Sequence, residues 1–96
     1  LLSRADDWVW DSWFAVEDDT IHAFTLTAPR ALGDPELRHI NARIGHSISP
    51  DGITWTHLPD ALRPTGTDSF DAQATWTGCV VKVDDLWHMF YTGINR

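Results

Sequence analysis

Apolar and polar residues along this chain follow the two-residue period of β-strands, and no segment holds a helical period. Residues 13–16 form a short apolar run, closed by Glu17-Asp18-Asp19, which reads as a turn. Residues 20–28 alternate next, with Ile21, Ala23 and Thr25 on one side and His22, Phe24 and Leu26 on the other. Neither side is plainly polar, which suits a strand inside a stacked β array. Pro29, Gly33 and Pro35 then break the pattern, so residues 29–41 read as a loop, with one helical turn at Pro35-Glu36-Leu37-Arg38.

Residues 42–49 resume as a strand and end in Ser49-Pro50-Asp51-Gly52. This is a turn signal: Pro presets φ, Asp bonds its own backbone and Gly accepts positive φ. A returning strand is expected at residues 53–58, completing a hairpin. Residues 59–71 read as a second loop, with Pro59, Pro64 and Gly66 as breakers. Two further strands are expected, at residues 75–83 and 86–92, joined by the turn Asp84-Asp85.

Sliding the chain over itself by 66 residues lays residues 10–27 on residues 76–93. Trp10 meets Trp76, Asp18 meets Asp84, Asp19 meets Asp85, His22 meets His88 and Phe24 meets Phe90. Chance would supply roughly one such identity. A repeating unit of four short strands is the pattern of a β-propeller blade. The expectation is an all-β fold with one blade at about residues 13–58 and the first two strands of the next at about 75–93. Trp10-Asp11 and Trp76-Thr77 then share a blade-relative position, at the start of an innermost strand and facing the channel mouth, where propellers bind ligands.

Composition narrows the function. The chain has 96 residues and a net charge of −7, which disfavours a nucleic-acid partner, because phosphates need a basic face. No apolar run approaches the ~20 residues of a membrane-spanning helix. With Cys79 the sole cysteine, neither an internal disulfide nor a cysteine zinc site is possible, and no cofactor is indicated. Cys79 reads as a small residue facing the packed interior. Six tryptophans point to a packed β core or a surface that stacks on ring-shaped ligands. The chain opens at Leu1 without Met and stops at Arg96 just after a strand-like segment, so it reads as part of a longer polypeptide.

Gly45-His46-Ser47-Ile48-Ser49, Asp51, Trp55, Leu58-Pro59, Ala61-Leu62 and Pro64 follow one another in order, then Phe70-Asp71, Trp76-Thr77-Gly78 and Phe90-Tyr91-Thr92-Gly93. This series resembles the invertase and β-fructosidase pattern of glycoside hydrolase family 32. The opening Val9-Trp10-Asp11-Ser12-Trp13 is more similar to the levansucrases of family 68. The resemblance covers about residues 8–93. It implies a five-bladed β-propeller, shared with the arabinanases and xylosidases of family 43, of which this chain would be the N-terminal part of a single catalytic domain. It also implies cleavage of a glycoside, β-fructosides first, by two carboxylates flanking the scissile bond.

The resemblance makes Asp11 the nucleophile, or a general base acting on water in an inverting relative. The Arg-Asp-Pro and general-acid Glu motifs of the family do not occur here, so the chain would be inactive alone. Read without the resemblance, Asp11 is a cap or turn carboxylate. Its two Trp neighbours predict a partly desolvated carboxylate that must stay ionised to attack. Trp10 and Trp76 are expected to stack on the sugar, Thr77 to bond it where relatives carry Ser, and Asp71 to bond sugar hydroxyls or position a neighbour. His22, His46 and His88 read as packing residues. The opening Asn-Asp-Pro-Asn motif of family 32 is absent, and the loop bearing Arg30, Asp34, Glu36 and Arg38 matches no substrate-binding motif.

Two other readings compete. A non-catalytic carbohydrate-binding propeller would keep the tryptophans without needing an acid at Asp11. A sialidase-like propeller is suggested by Ser49-Pro50-Asp51-Gly52-Ile53-Thr54-Trp55, similar to an Asp-box hairpin, but this stretch lacks the arginine cluster such enzymes need.

Overall fold

The computed structural model of the protein describes residues 2–66 and 68–95. Six strands follow in order: β1 (Asp7–Glu17), β2 (Thr20–Pro29), β3 (Arg43–Ser49), β4 (Thr56–Leu62), β5 (Ala74–Val83) and β6 (Leu86–Ile94). Two short 3-10 turns, Arg30–Leu32 and Pro35–Arg38, lie between β2 and β3. The first four strands form an antiparallel meander in the order β1-β2-β3-β4, and β5-β6 form a second antiparallel pair. The all-β expectation therefore holds, as one four-stranded sheet followed by a two-stranded one.

β2 is central in its sheet, and Ala23 to Ala28 are all buried. That is why its sequence shows no solvated side. One face of the first sheet carries Trp13, Phe24, Leu26 and Ile44. Val80, Met89 and Tyr91 from the second sheet pack against them, so the core lies between the two sheets. Trp13 stacks on Phe24 at 25°, with ring centres 6.2 Å apart.

Two strands, β1 and β4, have boundaries that differ from expectation. β1 starts at Asp7, well before Trp13, because Asp7 to Trp10 pair in register with Pro29 back to Leu26. The returning strand begins at Thr56 rather than Ile53. Ser49 Oγ accepts the N–H groups of Asp51 and Gly52, and Asp51 Oδ1 accepts those of Ile53 and Thr54. Donors spent on side chains cannot pair with a strand. Those bonds also stabilise the ionised Asp51 and lower its pKa, led by the N–H of Thr54. Pro59 falls inside β4, which is tolerated because β4 is the edge strand.

The repeat is visible in the backbone. β1 carries a bulge between Trp10 and Ser12, and β5 carries one between Trp76 and Gly78. The extra residues are Asp11 and Thr77, which the 66-residue offset superposes. The two hairpin turns correspond as well: Asp18 and Asp84 both have positive φ, at 52° and 50°.

Candidate active site

A cleft of about 410 Å³ opens where the heads of β1 and β5 meet, lined by Trp10, Asp11, Leu26, His39, Trp76, Thr77 and Thr92. Four of the five residues singled out from sequence line it: Asp11, Trp10, Trp76 and Thr77. The bulges explain how. An extra residue in one strand breaks the alternation and re-aims its side chain, here at both strand heads. Asp11 adopts φ 48°, a left-handed conformation that Asp tolerates better than most residues. Thr77 Oγ1 donates a 2.7 Å hydrogen bond to Asp11 Oδ2. Asp11 Oδ1 has no hydrogen bond among the described residues.

Asp11 is exposed, not partly desolvated as its neighbours in sequence suggested. The bulge turns its carboxylate into the open cleft. The tryptophan beside it faces the same cleft as a wall, while Trp13, two residues on, turns into the core. Trp10 pairs with Leu26 and Trp13 with Phe24, so both rings lie on the core face, Trp13 in its buried middle and Trp10 where that face opens into the cleft, a depth that a linear motif does not display.

Both cleft tryptophans are held by the loop between β2 and β3. The guanidinium carbon of Arg38 lies 5.4 Å from the centre of the Trp10 ring. The His39 ring meets Trp10 edge-on at 83°, with centroids 6.3 Å apart. Trp76 Nε1 donates to the backbone carbonyl of His39 at 2.7 Å. Sequence reading assigned this loop no role, since all three contacts run between residues far apart in the chain.

Asp71 lies outside the residues lining the cleft and is buried, with 6% of its surface exposed. Its Oδ2 accepts a 2.5 Å hydrogen bond from Tyr91 Oη, and its Oδ1 accepts from Ser69 and Thr65 hydroxyls. The Tyr91 hydroxyl chiefly, then Ser69, holds the Asp71 pKa below the usual carboxylate range. The same bond pushes the Tyr91 phenol up to about 12. Asp71 thus pins the loop before β5 to β6. Gly93 permits this: a side chain there would overlap Phe70 and Asp71.

The histidines pack, as anticipated for His22 and His46. The His22 and His46 rings stack with centres 5.1 Å apart, share a 2.9 Å hydrogen bond, and sit against Phe24. Cys79 is exposed, contrary to expectation. Val80 faces the first sheet, so alternation turns Cys79 to the opposite face. Among the described residues, no group of three or more His, Cys, Asp or Glu side chains could hold a metal ion.

Residues 18–96 match the family described as Glycosyl hydrolases family 32 N-terminal domain. An insoluble β-fructofuranosidase isoenzyme, CWINV6 of Arabidopsis thaliana, is 33% identical over 75 residues, which covers 77% of this chain and 13% of that protein. A bifunctional 6(G)-fructosyltransferase/2,1-fructan:2,1-fructan 1-fructosyltransferase of Allium cepa is 39% identical over 54 residues, 55% of this chain and 8% of its own length. A sucrose-6-phosphate hydrolase of Zymomonas mobilis is 41% identical over 49 residues, 51% of this chain and 9% of its own. The chain therefore spans about a tenth of the length of these relatives. No solved structure matches it. With the family match running over most of its length, from the first hairpin turn to the end of the second sheet, the chain belongs to glycosyl hydrolase family 32.

Proposed function

We propose that this chain supplies one wall of the active site of a β-fructoside-cleaving glycoside hydrolase, as the N-terminal part of a single catalytic propeller. Asp11 is the nucleophile. The observation that carries this reading is its carboxylate, set on a positive-φ bulge in a cleft walled by two tryptophans, with one oxygen bonded to Thr77 and the other free. Backbone strain of this kind concentrates at functional sites. The names of the relatives, a β-fructofuranosidase and a sucrose-6-phosphate hydrolase, supply the substrate class. The family match starts at Asp18, so the role of Asp11 rests on geometry and on its motif.

The chemistry follows from the arrangement. Oδ1 of Asp11 attacks the anomeric carbon, while the Thr77 hydrogen bond fixes the carboxylate's orientation. Thr77 Oγ1 keeps its lone pairs, so it can still accept from a sugar hydroxyl. Trp10 and Trp76 offer ring faces to the sugar's C–H surface. A second carboxylate must protonate the leaving oxygen and, in a retaining reaction, lie about 5–5.5 Å from the first. Asp11 is the cleft's only acidic side chain among the described residues, so that acid comes from elsewhere in the full-length protein. Asp71 acts indirectly, by holding the loop that leads into Trp76.

The test is Asp11→Asn in the full-length protein, assayed on sucrose, inulin and arabinan. Asparagine keeps the shape and the Thr77 contact but cannot attack. Turnover of the preferred sugar should fall by about a thousandfold or more with the fold intact. Activity within tenfold of the parent would remove Asp11 from the nucleophile role.

A further inference from the structure

The cleft's two aromatic walls come from different sheets, yet one dipeptide touches both. Arg38 lies over the ring of Trp10, the His39 ring abuts the same indole edge-on, and the His39 carbonyl takes the Trp76 N–H. The dipeptide is itself fixed. Asp34 Oδ1 accepts the Glu36 N–H and starts the 3-10 turn that delivers it. Arg38 Nη1 donates to the Pro35 carbonyl at 2.9 Å, which aims the guanidinium. Asn41 closes the far side, its side chain donating to the Leu37 carbonyl and its N–H to that of Arg38. Arg38 has no carboxylate partner among the described residues, so its charge is available to the Trp10 π face.

We propose that Arg38 and His39 are positioning residues that set the orientation and separation of Trp10 and Trp76, and so decide how tightly a furanose ring is held. The inference rests on the cleft being the sugar site. Trp10, half-buried beside the bulge, would otherwise have rotamer freedom to lose on binding, and fixing it beforehand removes that cost. The guanidinium contact is of the cation–π kind, whose strength grows when the pair is shielded from water. Neither residue touches the reacting carbon, so the clamp acts on binding rather than on bond cleavage.

The experiment uses the full-length protein, with Arg38→Met, which keeps the stem and removes the charge, and Arg38→Lys, which keeps a cation. For Arg38→Met the KM for the preferred sugar should rise about fivefold, a loss in keeping with one cation–π contact, while kcat stays within about twofold. Arg38→Lys should restore most of the lost affinity. Sugar binding to the Asp11→Asn protein, followed by tryptophan fluorescence, should weaken on adding Arg38→Met by the same factor. An unchanged KM in Arg38→Met, or a fall in kcat alone, overturns the clamp. Failure of the Asp11→Asn protein to bind any sugar at the cleft instead overturns the site reading beneath it, so the two failures are distinct. Matched thermal melts separate either result from misfolding.

Discussion

At the scale of single residues, the pairing of Asp11 with Thr77 ties backbone geometry to chemistry. Each occupies the extra position of a bulge, and the two side chains meet across the gap between sheets. A second pair sets a pH response. Burial first, and the nearby His22 second, lower the pKa of His46 from its usual value of 6.5. The neutral ring is thus the form the fold prefers. The unfolded chain binds the proton more readily, so stability is full above about pH 6.5 and declines as pH falls below it toward the lowered folded value. Melting temperatures of the full-length protein, taken from pH 7.5 down to 5, should fall through that window. His46→Gln, which does not titrate, should flatten the profile. A slope unchanged in His46→Gln would assign it to other groups.

At the scale of elements, the bulges and turns repeat together. Asp84 and Asp85 both have positive φ, as the two-residue hairpin between Val83 and Leu86 demands, whereas only Asp18 does in the first hairpin. Gly78 follows the second bulge because nothing larger fits: a Cβ there would overlap the Phe90 carbonyl oxygen. Gly78→Ala should therefore cost about 1–3 kcal/mol of stability. It should also shift Thr77 away from Asp11 and lower activity at temperatures where the fold survives. Urea unfolding together with a sucrose assay reads both effects, and a neutral result in both would show that the bulge adapts. The β3–β4 connection shows the opposite economy: a serine and an aspartate take four backbone N–H groups and delay the returning strand to Thr56.

At the scale of the whole molecule, the described chain is a slab of 38 × 32 × 17 Å, two packed sheets thick. Its core faces inward, but the outer face of β5–β6 leaves Val81, Val83, Leu86 and Phe90 exposed, the last at 62%. Phe14 and Val16 on the first sheet, and Ile53 in the β3–β4 connection, are exposed as well. Such apolar faces, together with unpaired strand edges, favour association over a stable monomer. Residues 1–96 produced alone should melt broadly and bind a hydrophobic dye, as followed by calorimetry and fluorescence. A sharp two-state melt of the monomer would show that these faces are not a liability.

Much of this was legible in the sequence because strand period, turn residues and the 66-residue repeat are local or self-referential signals. They determined the all-β class, the order of the strands, the equivalence of Trp10-Asp11 with Trp76-Thr77, and the packing of His22 and His46. Where a strand starts and ends was less legible, since pairing partners set β1 and side-chain acceptors set β4. Which way a side chain points was decided by the tertiary structure alone. A bulge inverts alternation, so Asp11 faces open cleft although two tryptophans flank it in sequence, and a motif suggesting a ligand contact at Asp71 ends in a buried net of hydroxyls. The Thr77 bond to Asp11 and the grip of Arg38 and His39 on the two tryptophans likewise span long stretches of chain. Such contacts exist only once both sheets have formed and packed.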